Sequence, residues 1–583
     1  MLTFKSPDAP HTFNKYFTSI ANNLLKKNYP NASNSEMSHL KYLKSNTCKL
    51  ENVSFDVKDL EQLIGDLNNS KSTYFSPKVL KAVSNTLNPC LIKLFNKCYD
   101  EGYFPEELKV AKVIPLYKNK GELMDISNYR PISMLSVFSK LFEKLIHKKL
   151  SSYFDSNGII NNAQYGFRAG HSTLHALINA TENVHKSLDS KLHTLGIFID
   201  FSKAFDTVNH KILCDKLEHY GVCGKMYDLI KNYLSNRSQY VYYGNNESST
   251  LSIHFGVPQG SVLGPLLFII FINDIVNVSE LVKFVLFADD ANIFISHKDR
   301  RVLYAISNSI LLDILNYCSA NKIIINYDKC CFIEFNRNSS DENFTLHIMS
   351  HEISRVTKCK FLGVYINEKL TWTDQITAAK KNIAQAIGTL YSVRSILPQK
   401  LLRSIYFALV QPYFVYTLPL WGARHTSSEF NELFKLQKKA IRIITNKTTK
   451  IEGKFQNTKP LFKKANILTI QNLYYYLTAL ETRKILTLNK PEQIFSLFVK
   501  SVRSNRLILP KFNTERYKSN SFVFNSSKIV NYVLSNNIDI YSMSQITLKV
   551  NLKRFLMNKQ SATIHGDINW YPCNLSIFSD ISF

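Results

Sequence analysis

The sequence is poor in paired cysteines, long apolar runs and acidic charge. Its 10 Cys form no Cys-x-x-Cys pair, and Cys330 and Cys331 are neighbours that cannot close an ordinary disulfide with each other. No His/Cys group has zinc spacing. A disulfide scaffold and a zinc module are thereby excluded, and free, mostly buried thiols in a reducing compartment are expected. The longest apolar run, Val262–Ile272, has 11 residues and includes Gly264 and Pro265, whereas a spanning helix needs about 20. Residues 1–17 are polar and lack the apolar core of a secretory leader. Neither an internal repeat nor a coiled-coil heptad is present. The expectation is a soluble intracellular protein, not secreted and without a transmembrane segment.

What is present points to a globular chain with a polyanionic partner. The 583 residues are 45% hydrophobic and 20% charged, ordinary globular values that exclude a disordered or fibrous protein. At about 100–200 residues per domain, that length implies three to five domains. Lys+Arg total 72 against 45 Asp+Glu, a net charge of +27, which predicts nucleic acid or an acidic membrane face as partner. The charge is uneven. From Thr371 onward there are 30 basic and 10 acidic residues, giving +20, and the preceding 370 hold 42 and 35, giving +7. The back of the chain is the electrostatic clamp, and the front holds the carboxylates.

Along the chain, residues 1–50 read as an Asn/Ser/Lys-rich linker with one short amphipathic helix near Phe13–Leu25. Residues 56–109 carry helical apolar periodicity, followed by a strand at Lys112–Tyr117. Loops and one helix, Phe138–Phe154, occupy 118–174. Strand-like runs then recur at Leu195–Ile199, Phe284–Phe287 and Ile293–Ile295, separated by helical patterns. Beyond Trp372 the pattern is helical again, and the tail is mixed, basic and rich in Tyr and Asn. The layout is α+β.

Two strand ends carry carboxylates. Leu195-Gly-Ile-Phe-Ile-Asp200 is an apolar run ending on one Asp, and Phe284-Val-Leu-Phe-Ala-Asp289-Asp290-Ala-Asn-Ile-Phe-Ile295 places two Asp at the tip of a tight hairpin. Taken singly, such Asp residues are also what a plain turn uses. If the strands are neighbours, the carboxylates converge, and a cation is needed to relieve their repulsion. Hard oxygen ligands suit Mg²⁺, and two such ions can align an attacking 3′-hydroxyl and a leaving pyrophosphate. Between them lies a Gly-rich loop, Phe255-Gly-Val-Pro-Gln259-Gly260-Ser-Val-Leu-Gly-Pro-Leu266. Glycine there lets backbone approach a ligand, and Gln259 offers both donor and acceptor.

The set Phe-Ile-Asp200-Phe-Ser-Lys-Ala-Phe205-Asp206, Gly256-Val-Pro-Gln-Gly-Ser261 and Phe287-Ala-Asp-Asp290 resembles motifs A, B and C of a reverse transcriptase, in order and in spacing. The resemblance is to the non-LTR retrotransposon type, the Jockey-like group in particular. Gly102 to Gly121 and Asn128-Tyr-Arg130-Pro-Ile-Ser133 are similar to its fingers segments, and Gln164-Tyr-Gly-Phe-Arg168-Ala-Gly-His-Ser-Thr173 to the following block. Asn326-Tyr-Asp-Lys329 resembles motif D, and Phe361-Leu362-Gly363-Val364 the primer-grip hairpin. Pro412, Tyr416, Trp421-Gly422 and Leu436 to Arg442 resemble the thumb, so the similarity covers about 50–583.

The resemblance implies a right-hand polymerase fold of the α+β class. A linker and helical extension would occupy 1–89, fingers and palm 90–370, a helical thumb 371–450 and a basic region 451–583. It implies RNA-directed DNA synthesis, with an RNA template, a DNA primer or target and dNTPs as partners and two Mg²⁺ as cofactors. Asp200 and Asp289 would be metal ligands, Asp290 a weak one, and the backbone carbonyl of Phe201 an extra one. Lys118 and Arg130 would clamp the triphosphate, for which Arg gives bidentate and Lys point-charge binding. Phe205 would exclude a 2′-hydroxyl, and Lys329 would protonate the leaving pyrophosphate. Gln259 and Gly260 would touch template or nucleotide, Arg168 the template backbone, and Phe361, Leu362 and Gly363 the primer.

From the residues alone, Phe205 is equally a core aromatic, Lys118 and Lys329 exposed loop lysines, and Tyr474-Tyr-Tyr476 a buried helix. Elements of this group place an endonuclease ahead of the polymerase. Nothing of that kind precedes residue 50, and no RNase H constellation follows the thumb, so the chain is expected not to nick its own target. Two rivals stand beside the polymerase. One is a catalytically silent, domesticated nucleic-acid-binding protein, and the other an RNA-directed RNA polymerase or maturase.

Overall fold

The computed structural model describes residues 8–29, 38–50, 53–68, 76–335, 344–424, 427–446, 450–451, 454–455 and 457–561. Asn31–Ser35 of the expected linker and 562–583 of the expected basic region lie outside these residues. The strands that position the site are β1 (Val110–Tyr117), β2 (Tyr129–Met134), β3 (His193–Ile199), β4 (Arg237–Tyr243), β5 (Asn246–Glu247), β6 (Leu251–Ile253), β7 (Lys283–Phe287), β8 (Asp290–His297), β9 (Cys331–Phe335), β10 (Leu346–Ile348), β11 (His351–Arg355), β12 (Lys358–Phe361) and β13 (Val364–Asn367).

A six-stranded sheet in the order β10-β11-β9-β3-β8-β7 forms the centre. Strand β3 lies between β8 and β9, antiparallel to both. Its continuous apolar run follows from burial on both faces. Leu195, Ile197 and Ile199 face one core, with Leu303, Ile310 and Ile314 of helix Arg300–Asn321. Phe198 faces the other, with Ile178 and Val184 of helix Thr173–Asp189. A Cβ at Gly196 would lie 2.9 Å from the Phe335 ring and 3.1 Å from that of Phe294. Two neighbouring aromatics therefore occupy the space over β3.

A second sheet, β2-β1-β4-β5 with β6 also on β4, stands across from this one. Its β1 and β2 are antiparallel, and β1 and β4 are parallel. The N-terminal segment is more than linker. Helix Ala9–Asn28 packs Phe13 fully into this sheet, against Tyr129 and Tyr243. Strands β2, β4 and β9 are not evident in the sequence, because each mixes polar residues with its apolar ones.

The helices after Trp372 share the second core with helix Thr173–Asp189. Helix Thr173–Asp189 is also tied to them by polar contacts. His175 Nε2 lies 2.7 Å from Glu481 Oε1, Glu182 accepts from Ser521 Oγ and the Phe522 amide, and Asp189 accepts from the Asn513 and Thr514 amides. Tyr474 and Tyr475 are buried on helix Ile470–Leu488, as a core tyrosine run requires. The cysteines of the described residues are all free. By length and composition one described helix, Arg300–Asn321, could cross a membrane, but Leu303, Ile310, Leu311 and Ile314 on it are buried in the core of this chain.

Candidate active site

The register of the central sheet brings the predicted carboxylates together. Ile199 pairs with Ala291, so Asp200 leaves β3 where β8 begins at Asp290. Phe287 pairs with Asp290 across a two-residue turn, Ala288-Asp289, in which Ala288 takes the left-handed conformation (φ 55°). Burial, and then the charge of Asp200, raises the Asp289 carboxyl above its ordinary range. Desolvation at the turn, followed by the charges of Asp289 and Asp200, pushes Asp290 up to about 6, although much of its surface reaches solvent. Like charges gathered at one strand end have this effect.

Asp200 is fixed through its main chain. Its carbonyl accepts from the Asn326 amide (2.8 Å), and the Ser202 amide donates to Ile324 O (2.8 Å), so Phe201 bridges to Ile325. The Asp200 carboxylate also holds Lys329 Nζ at 2.9 Å.

Gln164, buried in the preceding loop, holds the other end of the site. Its Oε1 accepts from the Gly166 amide (2.8 Å) and the Ala288 amide (3.0 Å), and the Tyr165 amide donates to Leu286 O (2.8 Å). A Cβ at Gly166 would sit 2.4 Å from the Ala288 nitrogen, so only glycine lets the two loops meet.

The Gly-rich loop is held from both sides. Val257 N donates to Phe205 O (2.9 Å), Gly256 N to Val208 O (2.8 Å) and Ser133 N to Gln259 O (2.7 Å). Gly256 has φ 82° and Gly260 φ 116°, and a Cβ at either would lie within 3 Å of facing carbonyl oxygens. The Gln259 side chain donates to Asp206 Oδ1 at 2.8 Å, and burial raises the Asp206 carboxyl.

An open cleft of about 830 Å³ lies over these elements. Lys118, Arg130, Asp200, Phe201, Phe205, Gln259, Gly260, Asp289 and Lys329, nine of the residues expected from the sequence, line it. Lys118 donates to Ser127 O (2.8 Å); burial first, then the cations Lys203, Arg130 and Lys329, lower its ammonium. Four cations thus face one cleft. Phe205 lies against Phe268 with centroids 4.3 Å apart and rings 22° from parallel, so the ring is a supported part of the lining.

Several expected residues lie elsewhere. Arg168 is turned inward, its side chain 8% exposed. Nη1 donates to Asn161 O (3.0 Å) and Gln164 O (3.4 Å), and Nη2 pairs with Asp155 at 3.6 Å. It locks its own loop, so a template contact through this guanidinium does not fit. Phe361 is buried beside Phe198, with centroids 5.6 Å apart, and its ring serves the core, which corrects its reading as a primer contact. Leu362 and Gly363 form the left-handed turn of the β12–β13 hairpin, to which Tyr416 OH donates at Leu362 O (2.6 Å), away from the cleft lining. Asp290 is also outside the lining.

Sequence reasoning missed Lys203, Gln164 and Asp206. All three stand inside quoted motifs, yet residue type alone does not separate a Lys, Gln or Asp that packs from one that points at a site.

Among the described residues no cluster of three or more Asp, Glu, His or Cys forms a ready metal cage. The donor set is nevertheless suited to Mg²⁺, which takes one or two carboxylates and completes its shell with water and substrate phosphate. Burial, and after it the neighbouring carboxylate charges, raise Asp289 and Asp290, and a divalent cation would offset both.

Comparison with known proteins gives the same reading. Residues 117–366 match the family model for reverse transcriptase (RNA-dependent DNA polymerase). The chain is 32% identical over 372 residues to the RNA-directed DNA polymerase from mobile element jockey of Drosophila melanogaster, covering 61% of this chain and 40% of that protein. It is 28% identical over 369 residues to the probable RNA-directed DNA polymerase from transposon BS of the same organism, with the same coverage. Against the probable RNA-directed DNA polymerase from transposon X-element it is 29% identical over 378 residues, 63% of this chain and 41% of that one. The chain thus spans about two fifths of the length of these curated relatives. With its motifs gathered in one cleft and these relatives around it, the chain carries a reverse transcriptase domain over residues 117–366 and is similar to the Jockey-like RNA-directed DNA polymerases of non-LTR transposons.

Proposed function

We propose that this chain copies RNA into DNA by adding deoxynucleotides to a primer 3′-hydroxyl. The observation that carries the reading is the meeting of Asp200 and Asp289 on neighbouring strands, beneath a cleft rimmed by Lys118, Arg130, Lys203 and Lys329. Acidic and basic groups so divided suit a substrate with a polyphosphate at one end and a reacting hydroxyl at the other.

Asp200 and Asp289 would hold the divalent cations, two Mg²⁺ by family expectation, with Asp290 and the Phe201 main chain at the margin. Bound there, they would supply positive charge to the entering and departing oxygens. The chain's own groups do the remaining work. Lys118, Arg130 and Lys203 bind the triphosphate by charge-assisted contacts. The Phe205 ring, backed by Phe268, crowds the sugar edge and favours a deoxyribose. Gln259, oriented by Asp206, faces the base or template from a loop that its glycines keep close. The new bond forms between the primer 3′-oxygen and the α-phosphorus as the bond from that phosphorus to pyrophosphate breaks. The 3′-hydroxyl passes its proton to solvent water, and Lys329, beside Asp200, is placed to give its own proton to the leaving pyrophosphate.

In this reading the chain is a right hand, with fingers and palm over 90–370, a thumb over 371–450 and flanking regions at 1–89 and 451–583. RNA template, DNA primer and dNTPs are its partners, and the setting is target-primed retrotransposition in the nucleus. Extension of a DNA primer on an RNA template with Mg²⁺ tests it. Wild type should incorporate dNTPs, Asp289→Asn should lose at least about 100-fold, and NTPs should be refused. A folded wild type that binds the duplex and incorporates nothing would mark a silent binder. Equal use of NTPs would remove the role given to Phe205.

A further inference from the structure

Helix Ala9–Asn28 lies outside the matched residues 117–366, yet it helps to build the cleft. It carries two apolar stripes at helical spacing. Phe13, Phe17 and Ala21 turn toward the β1–β4 sheet and the back of the Gly-rich loop. Tyr16, Ile20 and Leu24 line the cleft itself.

The helix is anchored on both sides of the cleft. Asn14 Nδ2 donates to Ser249 O (2.8 Å) and Gln239 O (3.3 Å), and Gln239 Nε2 donates back to Asn14 Oδ1 (3.0 Å). Just beyond the other end, Tyr29 OH donates to Ile323 O at 2.6 Å, three residues before Asn326 in the Asn326–Lys329 segment. A helix of 20 residues runs about 30 Å, enough to cross from one sheet to the margin of the other. Tyr16 sits on the cationic side, with Lys203 Nζ 6.0 Å from its ring centroid.

We propose that helix Ala9–Asn28 is a fixed wall of the nucleotide cleft, and that Tyr16 is a positioning residue for the incoming nucleoside triphosphate, steadying the Lys203 ammonium against the polyphosphate. The inference rests on the polymerase reading and deepens it. A nucleotide is favoured over the nucleic-acid strands on two grounds. The four cations face one cleft of about 830 Å³, within the usual size of a small-ligand site. A strand would call instead for cations strung along a groove.

The test uses the full chain and three measurements: steady-state dGTP incorporation, primer–template affinity by anisotropy without dNTP, and hydrogen exchange of residues 9–28 with and without dGTP. Tyr16→Ala should raise the dGTP KM by about threefold to tenfold, the worth of one cation–ring contact. Its kcat and primer–template Kd should stay within about twofold of wild type. Tyr16→Phe, which keeps the ring, should stay near wild type. Saturating dGTP should slow exchange in the helix. An unchanged KM in Tyr16→Ala, or a loss that falls on primer–template Kd instead, would overturn the proposal. If wild type incorporates nothing, the polymerase reading fails by itself, and slowed exchange with dGTP still reports whether the helix walls a nucleotide site.

Discussion

Replacing Gln164 with Met tests whether a residue that never reaches the cleft governs its chemistry. The change keeps the length of the side chain and removes its acceptor. In wild type the Gln164 Oε1 satisfies the amides of Gly166 and Ala288 at 2.8 and 3.0 Å, in a buried position. Both amides lose their partner in the variant. A buried N–H left unpaired costs about 1–3 kcal/mol, so two cost about 2–6 kcal/mol, less whatever the loops recover by shifting. The cheapest shift separates residue 166 from Ala288. That loosens a turn whose left-handed Ala288 is already a sparse conformation and which presents Asp289. Gln164→Met should therefore unfold at lower denaturant by an amount in that range. It should exchange the Gly166 and Ala288 amides faster, and lose far more kcat than affinity for primer–template. A variant with wild-type stability, wild-type protection of those two amides and wild-type kcat would refute the reasoning, because the geometry would then be held elsewhere.

Two further outcomes follow from buried charge. Lys216 and Asp274 form a fully buried pair at 2.6 Å, with Lys216 also donating to Phe271 O and Tyr317 OH donating to Asp274. Lys216→Met should cost about 3–5 kcal/mol in denaturant unfolding, and Lys216→Met with Asp274→Leu should recover most of it; a double variant as unstable as the single one would contradict this. Burial holds the Glu182 carboxyl from 4.5 up to about 7, so the folded state keeps a proton that the unfolded chain has released. Stability should therefore fall as pH rises through that window, by about 3 kcal/mol at most. Buried His185, pushed down to about 4, acts in the opposite sense as pH falls below 6.5. Glu182→Gln should abolish the loss on the alkaline side, and an unchanged pH profile in that variant would be the contrary result.

Much of the site was legible because its chemistry is local. An apolar strand must end somewhere, and a carboxylate at its end is visible in a window of ten residues, as at Asp200 and Asp289. The glycines of the 256–260 loop are legible for the same reason, since positive φ leaves a mark in residue type. Arg168 shows the limit. Its sequence neighbourhood is that of a phosphate-binding arginine, but its guanidinium spends its donors on Asn161 and Gln164 carbonyls. Phe361 shows it again, an aromatic at a hairpin turn that packs beside Phe198. Which way a side chain turns is decided by neighbours far along the chain, and no local pattern records them.

Composition and patterning by themselves determined that this chain is a globular, strongly basic α+β protein, and the order of its motifs carried the resemblance to a reverse transcriptase and pointed to two strand-end carboxylates. Those properties depend on residue type and short-range spacing, which the chain carries wherever it is folded. Only the tertiary structure decided that β3 and β8 are neighbours in a register that sets Asp200 beside Asp289. Only it decided that Gln164 braces the turn, that Lys203 joins the cationic rim, and that a helix from residue 9 lines the cleft. Each of these is a contact between segments dozens to hundreds of residues apart. Such contacts form only when the hydrophobic burial of both cores outweighs the entropy of closing those long loops.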